Sequence, residues 1–155
     1  KKKILFICLI VGGFLNYSNA QLLKWSPSFI QETTATVTIT ADARFGNKGL
    51  LDHTPTSDVF VHIGAITNQS TGASNWKYVK FEWGTANPLA NAPTSGNNQW
   101  TFTINGGLRN FFGITNSAEK IQKIAILFRN GNGTKVLRND DVATEQKYKE
   151  EFRHR

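Results

Sequence analysis

Cysteine is almost absent from this sequence, which contains a single one, Cys8. It lies inside the apolar run Ile4–Leu15, whereas a lipoprotein signal would place its cysteine after such a run. From residue 21 onward the chain has no thiol and can form no disulfide, so its fold must be stabilised by its core alone. The histidines, His53, His62 and His154, lack the spacing of metal ligands and have no cysteine partner. We therefore expect no metal and no cofactor.

Long apolar runs are also missing. The run Ile4–Leu15 is too short to span a bilayer, which takes about 20 apolar residues. It follows Lys1–Lys3 and precedes small and polar residues that end at Ala20. A basic start, a short apolar run and a small-residue cleavage site indicate a secretory signal peptide. We predict bacterial export with cleavage after Ala20, a secreted extracellular product and no membrane span.

A concentrated basic surface is not evident either. The formal net charge is +7, and removal of residues 1–20 takes away three of these positive charges with Lys1–Lys3. The remaining lysines and arginines are scattered and do not alternate with aromatic residues along one segment, so we expect no nucleic-acid partner. By length, residues 21–141 form one domain, and residues 142–155 form a charged tail that is either a short helix or disordered.

Catalytic patterns are lacking as well. The sequence has no Gly-x-Ser-x-Gly element of a serine hydrolase. A glycosidase needs two carboxyl groups held about 5–10 Å apart, and only Asp58 and Glu82 flank the aromatic stretch described below. Both lie at the ends of predicted strands, where acidic residues are common. We expect no catalytic residue and predict that the chain is not an enzyme.

What the sequence does contain is period-two alternation, interrupted at short intervals by turn residues. Leu108–Phe112 is predicted to form one helical turn that ends at Gly113. Residues 130–133, Asn-Gly-Asn-Gly, predict a hairpin turn. The predicted strands cover residues 25–30, 34–43, 58–67, 76–83, 99–104, 121–128 and 134–138. Seven short strands without a long helix predict an all-β, two-sheet sandwich of the immunoglobulin-like or fibronectin-like kind.

Aromatic residues concentrate between Asp58 and Trp83. Phe60 and His62 are two positions apart on a predicted strand and share one face, and Trp76 begins the next strand. Flat rings stack on the C–H faces of sugars, while amides and amines such as that of Lys77 hydrogen-bond to the sugar hydroxyls. This pattern predicts a carbohydrate-binding surface. The alternative is that Phe60 and Trp76 pack inside the sandwich.

Four segments carry a family resemblance: VFVHIGAI, NWKYVKFEW, GNNQWTFTI and KIAILFRNGNGT. Together they resemble the immunoglobulin-like, starch-binding carbohydrate-binding modules attached to secreted bacterial α-amylases. The resemblance implies that Phe60, His62 and Trp76 form a platform for α-glucan, with polar help from Asn130 and Asn132. It also implies a catalytic domain elsewhere in a longer parent protein.

Two hypotheses from different classes follow. The first is a secreted, non-catalytic module that binds starch or another polysaccharide by aromatic stacking. The second is a structural or adhesive immunoglobulin-like spacer of an exported multidomain protein, with no sugar site. Burial of Phe60, His62 and Trp76 against the opposite sheet would favour the spacer.

Overall fold

Alternating segments of the chain form two antiparallel β-sheets. The structure, a computed structural model, describes residues 21–139. The predicted signal peptide (residues 1–20) and charged tail (residues 142–155) lie outside the described residues. Sheet A consists of β1 (Leu23–Ser26), β2 (Thr36–Asp42), β4 (Thr94–Gly96) and β5 (Gln99–Asn105), and sheet B of β3 (Val59–Thr67), β6 (Ile121–Asn130) and β7 (Val136–Leu137).

The order of the strands is that of a constant-type immunoglobulin domain. Sheet A has the order β1-β2-β5-β4 and sheet B the order β3-β6-β7. With the strands lettered A to G along the chain, these orders become A-B-E-D and C-F-G. The prediction of an all-β, two-sheet sandwich is therefore confirmed.

The core lies between the two sheets and follows the period of two. On β2 and β5 the inward side chains are Val37, Ile39 and Ala41, and Trp100, Phe102 and Ile104. Trp100 is only 1% exposed, and its indole N–H donates to the carbonyl of Thr56 at 2.8 Å, so its one polar atom is satisfied. From sheet B, β3 contributes Val59, Val61 and Ile63, and β6 contributes Phe128.

A short α-helix, α1 (Leu108–Phe112), follows β5, and a 3-10 helix covers Pro88–Ala90. The α-helix ends at Gly113, which adopts the left-handed conformation with a φ of 75° and donates its N–H to the carbonyls of Arg109 and Asn110. The predicted helical turn and its glycine end are confirmed. Within residues 21–139 no helix has the length and apolar character needed to cross a membrane.

The prediction of a strand over residues 76–83 is wrong. Lys77 forms an isolated bridge with Ala65, and Lys80 donates to the carbonyl of Ile63 at 3.0 Å, but no continuous ladder connects these contacts. Tyr78 explains the interruption because its φ of 53° places it outside the extended region. We call residues 76–83 the covering segment, since they run along the edge of β3 that does not pair with β6.

Sheet B ends in the predicted hairpin. β7 returns from the Asn-Gly-Asn-Gly turn and pairs with β6 at Phe128 and Arg129. β6 is the middle strand of its sheet. Three consecutive residues of this strand lie in different environments: Phe128 in the core, Arg129 under the covering segment and Asn130 in the hairpin.

Candidate functional site

The outer face of β3 carries the candidate site. Because side chains alternate along a strand, Phe60, His62 and Gly64 point away from the face that contributes Val61 and Ile63 to the core. Gly64 makes room for the covering segment. A Cβ atom added there would lie 3.4 Å from the Cβ of Trp76 and 3.2 Å from Cγ2 of Val79. The absence of a side chain at residue 64 thus allows the covering segment to lie against the strand.

Three rings meet on this face: His62, Trp76 and Trp83, which we call the aromatic cluster. The ring centroids of His62 and Trp76 are 5.7 Å apart with an interplanar angle of 28°, a stacked arrangement. Trp83 packs against His62 in a T-shaped arrangement, with ring centroids 5.1 Å apart and an interplanar angle of 82°. His62 and Trp76 are half-buried, whereas Trp83 is 45% exposed. Trp83 is therefore the ring of the cluster with the most surface open to a ligand.

Phe60 does not belong to the exposed surface. It is 8% exposed and belongs to the hydrophobic core, and it forms an isolated bridge with Asn91. Its ring lies 5.9 Å from the guanidinium of Arg129. At this low exposure Phe60 cannot offer a ring face to a sugar, which corrects its predicted role as part of a platform.

Arg129 lies between Phe60 and Trp83. It is completely buried, and its guanidinium is 5.6 Å from the ring centroid of Trp83. One terminal nitrogen donates to the carbonyls of Asn130 and Gly131, both at 2.9 Å. The other donates to the carbonyls of Glu82 at 3.2 Å and Thr85 at 2.8 Å. Burial lowers the pKa of Arg129, and the nearby charge of Asp58 acts in the opposite direction.

A shallow groove of about 400 Å³ lies just beyond the end of the covering segment. Gly84, which follows Trp83, forms one wall, and Gly131 and Asn132 of the hairpin form the other. The hairpin also touches the indole, since a Cβ atom added to Gly133 would lie 2.6 Å from its nitrogen. The groove is completed by the lining residues Asp58 and Ala86.

Asp58 gives the groove a partly exposed carboxylate. Its Oδ1 accepts a hydrogen bond from the N–H of Gly131 at 3.0 Å, and its Oδ2 lies 3.6 Å from Nε2 of His53. These contacts fix the carboxylate in place. The groove is thus lined by a fixed carboxylate that can accept hydrogen bonds from a ligand.

The two asparagines predicted as polar contacts take part in the hairpin. Asn130 is buried; its Nδ2 donates to Oδ1 of Asn132 at 2.8 Å, and its Oδ1 accepts from the N–H of Lys135 at 2.8 Å. Oδ1 of Asn132 also accepts from the backbone and the hydroxyl of Thr134. Asn130 is thus a structural residue of the turn. Asn132 keeps a place in the wall of the groove.

Lys77 lies next to the cluster because it follows Trp76. Two backbone hydrogen bonds of 2.8 Å join it to Ala65, one in each direction. These bonds fasten the start of the covering segment to β3. The indole N–H of Trp76 donates to the carbonyl of Ala73 at 3.1 Å, which fixes the orientation of that ring.

His62 contributes a ring without a charge at neutral pH. Burial lowers its pKa, the backbone of Phe81 acts in the opposite direction, and the positive charge of Arg129 lowers the pKa further. The imidazole is therefore in its neutral form where Trp76 stacks on it. A neutral ring avoids placing a second positive charge beside Arg129.

The groove does not bring the two candidate catalytic carboxyls together. Asp58 lines it, whereas Glu82 is not among its lining residues and contacts Arg129 through its backbone carbonyl. Within residues 21–139, no group of three or more histidine, cysteine or acidic side chains is arranged to hold a metal ion.

The residue that sequence reasoning missed is Trp83. On a continuous strand over residues 76–83, Trp83 would point to the face opposite Trp76. The sequence pattern therefore gave no reason to assign the two rings to one binding surface. Comparison of the sequence with protein-family models and with curated proteins finds no match.

Proposed function

We propose that this chain is a secreted, non-catalytic module that binds a polysaccharide, with α-glucan as the first candidate. The observation that carries the proposal is an exposed indole, Trp83, near a groove that is lined by Asn132 and by Asp58, whose carboxylate is partly exposed. An apolar ring next to a few convergent polar groups is the usual composition of a small-molecule site. Trp76 and His62 extend the apolar surface beyond Trp83.

The expected affinity is modest. By analogy with bases stacked on aromatic side chains, each ring contributes about 1–3 kcal/mol. Two rings and a few hydrogen bonds at a shallow site correspond to dissociation constants in about the micromolar to millimolar range. Such affinities are useful where a module keeps an attached catalytic domain near a polymer with many repeated binding sites. We infer that the parent protein is longer and exported from a bacterial cell.

The alternative function is that of an immunoglobulin-like spacer or adhesive module with no sugar site. It is favoured by the burial of Phe60 and by the hydrogen bonds that commit Asn130 to the hairpin. It is opposed by the exposure of Trp83, because a spacer has no use for an indole held open beside a groove.

Affinity electrophoresis of residues 21–155 through gels with and without soluble starch tests the proposal. We expect starch to retard the wild-type chain, Trp83→Ala to abolish the retardation and Trp76→Ala to weaken it. Phe29→Ala is the matched control, because this ring is 70% exposed and follows β1 in the opposite sheet. A cooperative thermal melt of each variant verifies that it is folded.

Two outcomes would contradict the proposal. One is unchanged migration of the wild-type chain in starch and in a panel of other soluble polysaccharides, which would favour the spacer. The other is equal retardation of the wild-type chain and Trp83→Ala, which would remove the ring from any binding site.

A further inference from the structure

Arg129 is a buried cation whose four hydrogen bonds all go to segments next to the candidate site. The acceptors are backbone carbonyls of the two segments that supply the walls of the groove: Glu82 and Thr85 on either side of Gly84, and Asn130 and Gly131 in the hairpin. Its guanidinium also lies under the ring of Trp83. One side chain thus connects the exposed indole with the two walls.

The chemistry of the guanidinium suits this position. Its planar fork directs several N–H groups at fixed angles, and it interacts favourably with an aromatic face. A lysine ammonium is a compact point charge that lacks this fork. Among residues 21–139, no carboxylate lies within salt-bridge distance of Arg129. A buried cation without such a partner loses its hydration, and the carbonyl groups that accept its hydrogen bonds must replace the lost water. The position of Arg129 therefore depends on the two walls, and the positions of the walls depend on Arg129.

We propose that Arg129 is a positioning residue of the glycan site, an inference that rests on the proposed function. It holds Trp83 and the two walls of the groove in the geometry that binds the polysaccharide. It does so from beneath, because a fully buried side chain cannot touch the ligand. A residue without exposed surface therefore determines the geometry of the site.

The test compares Arg129→Lys with a matched control, Arg109→Lys. Arg109 also donates to several backbone carbonyls, those of Ile114, Asn116 and Glu119, and it shares none of them with Arg129. Both variants are examined well below their melting temperatures. The two readouts are affinity electrophoresis in soluble starch and the NMR signal of the Trp83 indole N–H, which is identified by its loss in Trp83→Phe.

We expect Arg129→Lys to remain folded but to bind starch at least about tenfold more weakly, because the ring and the walls are no longer held together. Its Trp83 indole signal should shift or broaden. Arg109→Lys should be destabilised while it retains wild-type binding and an unchanged Trp83 signal. If Arg129→Lys gives no cooperative melt, Arg129→Gln replaces it, since its amide retains a planar donor group, and the same outcomes apply.

Wild-type binding by folded Arg129→Lys would overturn the inference, as would an unmoved Trp83 signal. Equal weakening of binding by Arg109→Lys would also overturn it, because it would reduce the effect to general destabilisation. Failure of the wild-type chain to bind any polysaccharide would instead refute the proposed function. In that case the Trp83 signal still shows whether Arg129 holds the ring, so the two failures are distinguishable.

Discussion

At the scale of single residues, His62 shows how position changes the role of a side chain. The sequence places it on one face of a strand with Phe60, and period-two alternation predicts this correctly. Alternation does not determine what covers that face. In the structure Phe60 is buried beside Arg129, while His62 lies between two indoles. Two neighbours with the same orientation thus have different degrees of exposure.

The lowered pKa of His62 predicts a pH-dependent stability. The unfolded chain takes up a proton near the ordinary value of 6.5, whereas the folded chain resists protonation because of burial and the charge of Arg129. The contribution to stability is complete above about pH 6.5 and is lost as the pH falls towards the lowered value. Between pH 7.5 and 5.5 the free energy of unfolding should fall by no more than about 1.4 kcal/mol on this account, the equivalent of one pH unit.

Urea unfolding of the wild-type chain and of His62→Gln at these two pH values measures this effect. Glutamine does not titrate, so the variant should lose less stability than the wild-type chain. All other titratable groups are the same in the two proteins, so the comparison isolates residue 62. An identical pH dependence of the two proteins would show that His62 is not the group responsible.

At the scale of secondary-structure elements, the covering segment marks the limit of sequence reasoning. Alternation predicts β2, β3, β5 and β6 well because each has a regular partner and one face in the core. The covering segment alternates too, but Tyr78 turns the backbone away from the extended conformation. Beyond that turn, side chains no longer alternate between two faces as they do on a strand. Phe81 therefore reaches the core, and Trp83 lies with Trp76 around His62. A positive φ at a tyrosine has no signature in a single sequence.

Gly64 provides a test of how the covering segment packs. A Cβ atom there would lie 3.0 Å from the carbonyl oxygen of Lys77, closer than ordinary contact. We expect Gly64→Ala to displace the segment, to lower the free energy of unfolding by about 1–3 kcal/mol through overpacking, and to shift the NMR signals of Trp76. Gly72→Ala is the control, because nothing lies within 4 Å of its added methyl group. Equal stability of the two variants would show that the segment is not packed against β3 at residue 64.

The hairpin offers a second test at this scale. Asn130→Ala removes the acceptor of the Lys135 N–H and the side-chain donor to Asn132, so the free energy of unfolding should fall by about 1–3 kcal/mol. Asn110→Ala, an exposed change on α1, should have little effect. At a temperature where it is folded, Asn130→Ala should still be retarded by starch. Loss of retardation with unchanged stability would instead mean that Asn130 contacts the ligand, as the sequence predicted.

At the scale of the whole molecule, the sandwich was the most predictable feature. Seven alternating segments, a strong hairpin turn and no long helix restrict the chain to two packed sheets, and the constant-type strand order fits this class. The site was less predictable because it depends on contacts between distant parts of the chain. Arg129 reaches the carbonyls of Glu82 and Thr85, which are 47 and 44 residues away in sequence. No local pattern contains that information.

The continuity of β6 has a consequence for how a ligand is detected. Because consecutive residues of one strand lie in the core, under the covering segment and in the hairpin, the groove cannot keep its shape once the sandwich unfolds. A ligand that binds only the folded chain therefore adds to its stability, by about 2.7 kcal/mol at a concentration one hundred times the dissociation constant. Soluble oligosaccharides that fit the groove should raise the melting temperature of the wild-type chain in proportion to the logarithm of their concentration and leave that of Trp83→Ala unchanged. A thermal-shift screen would then identify the preferred sugar without any immobilised polymer.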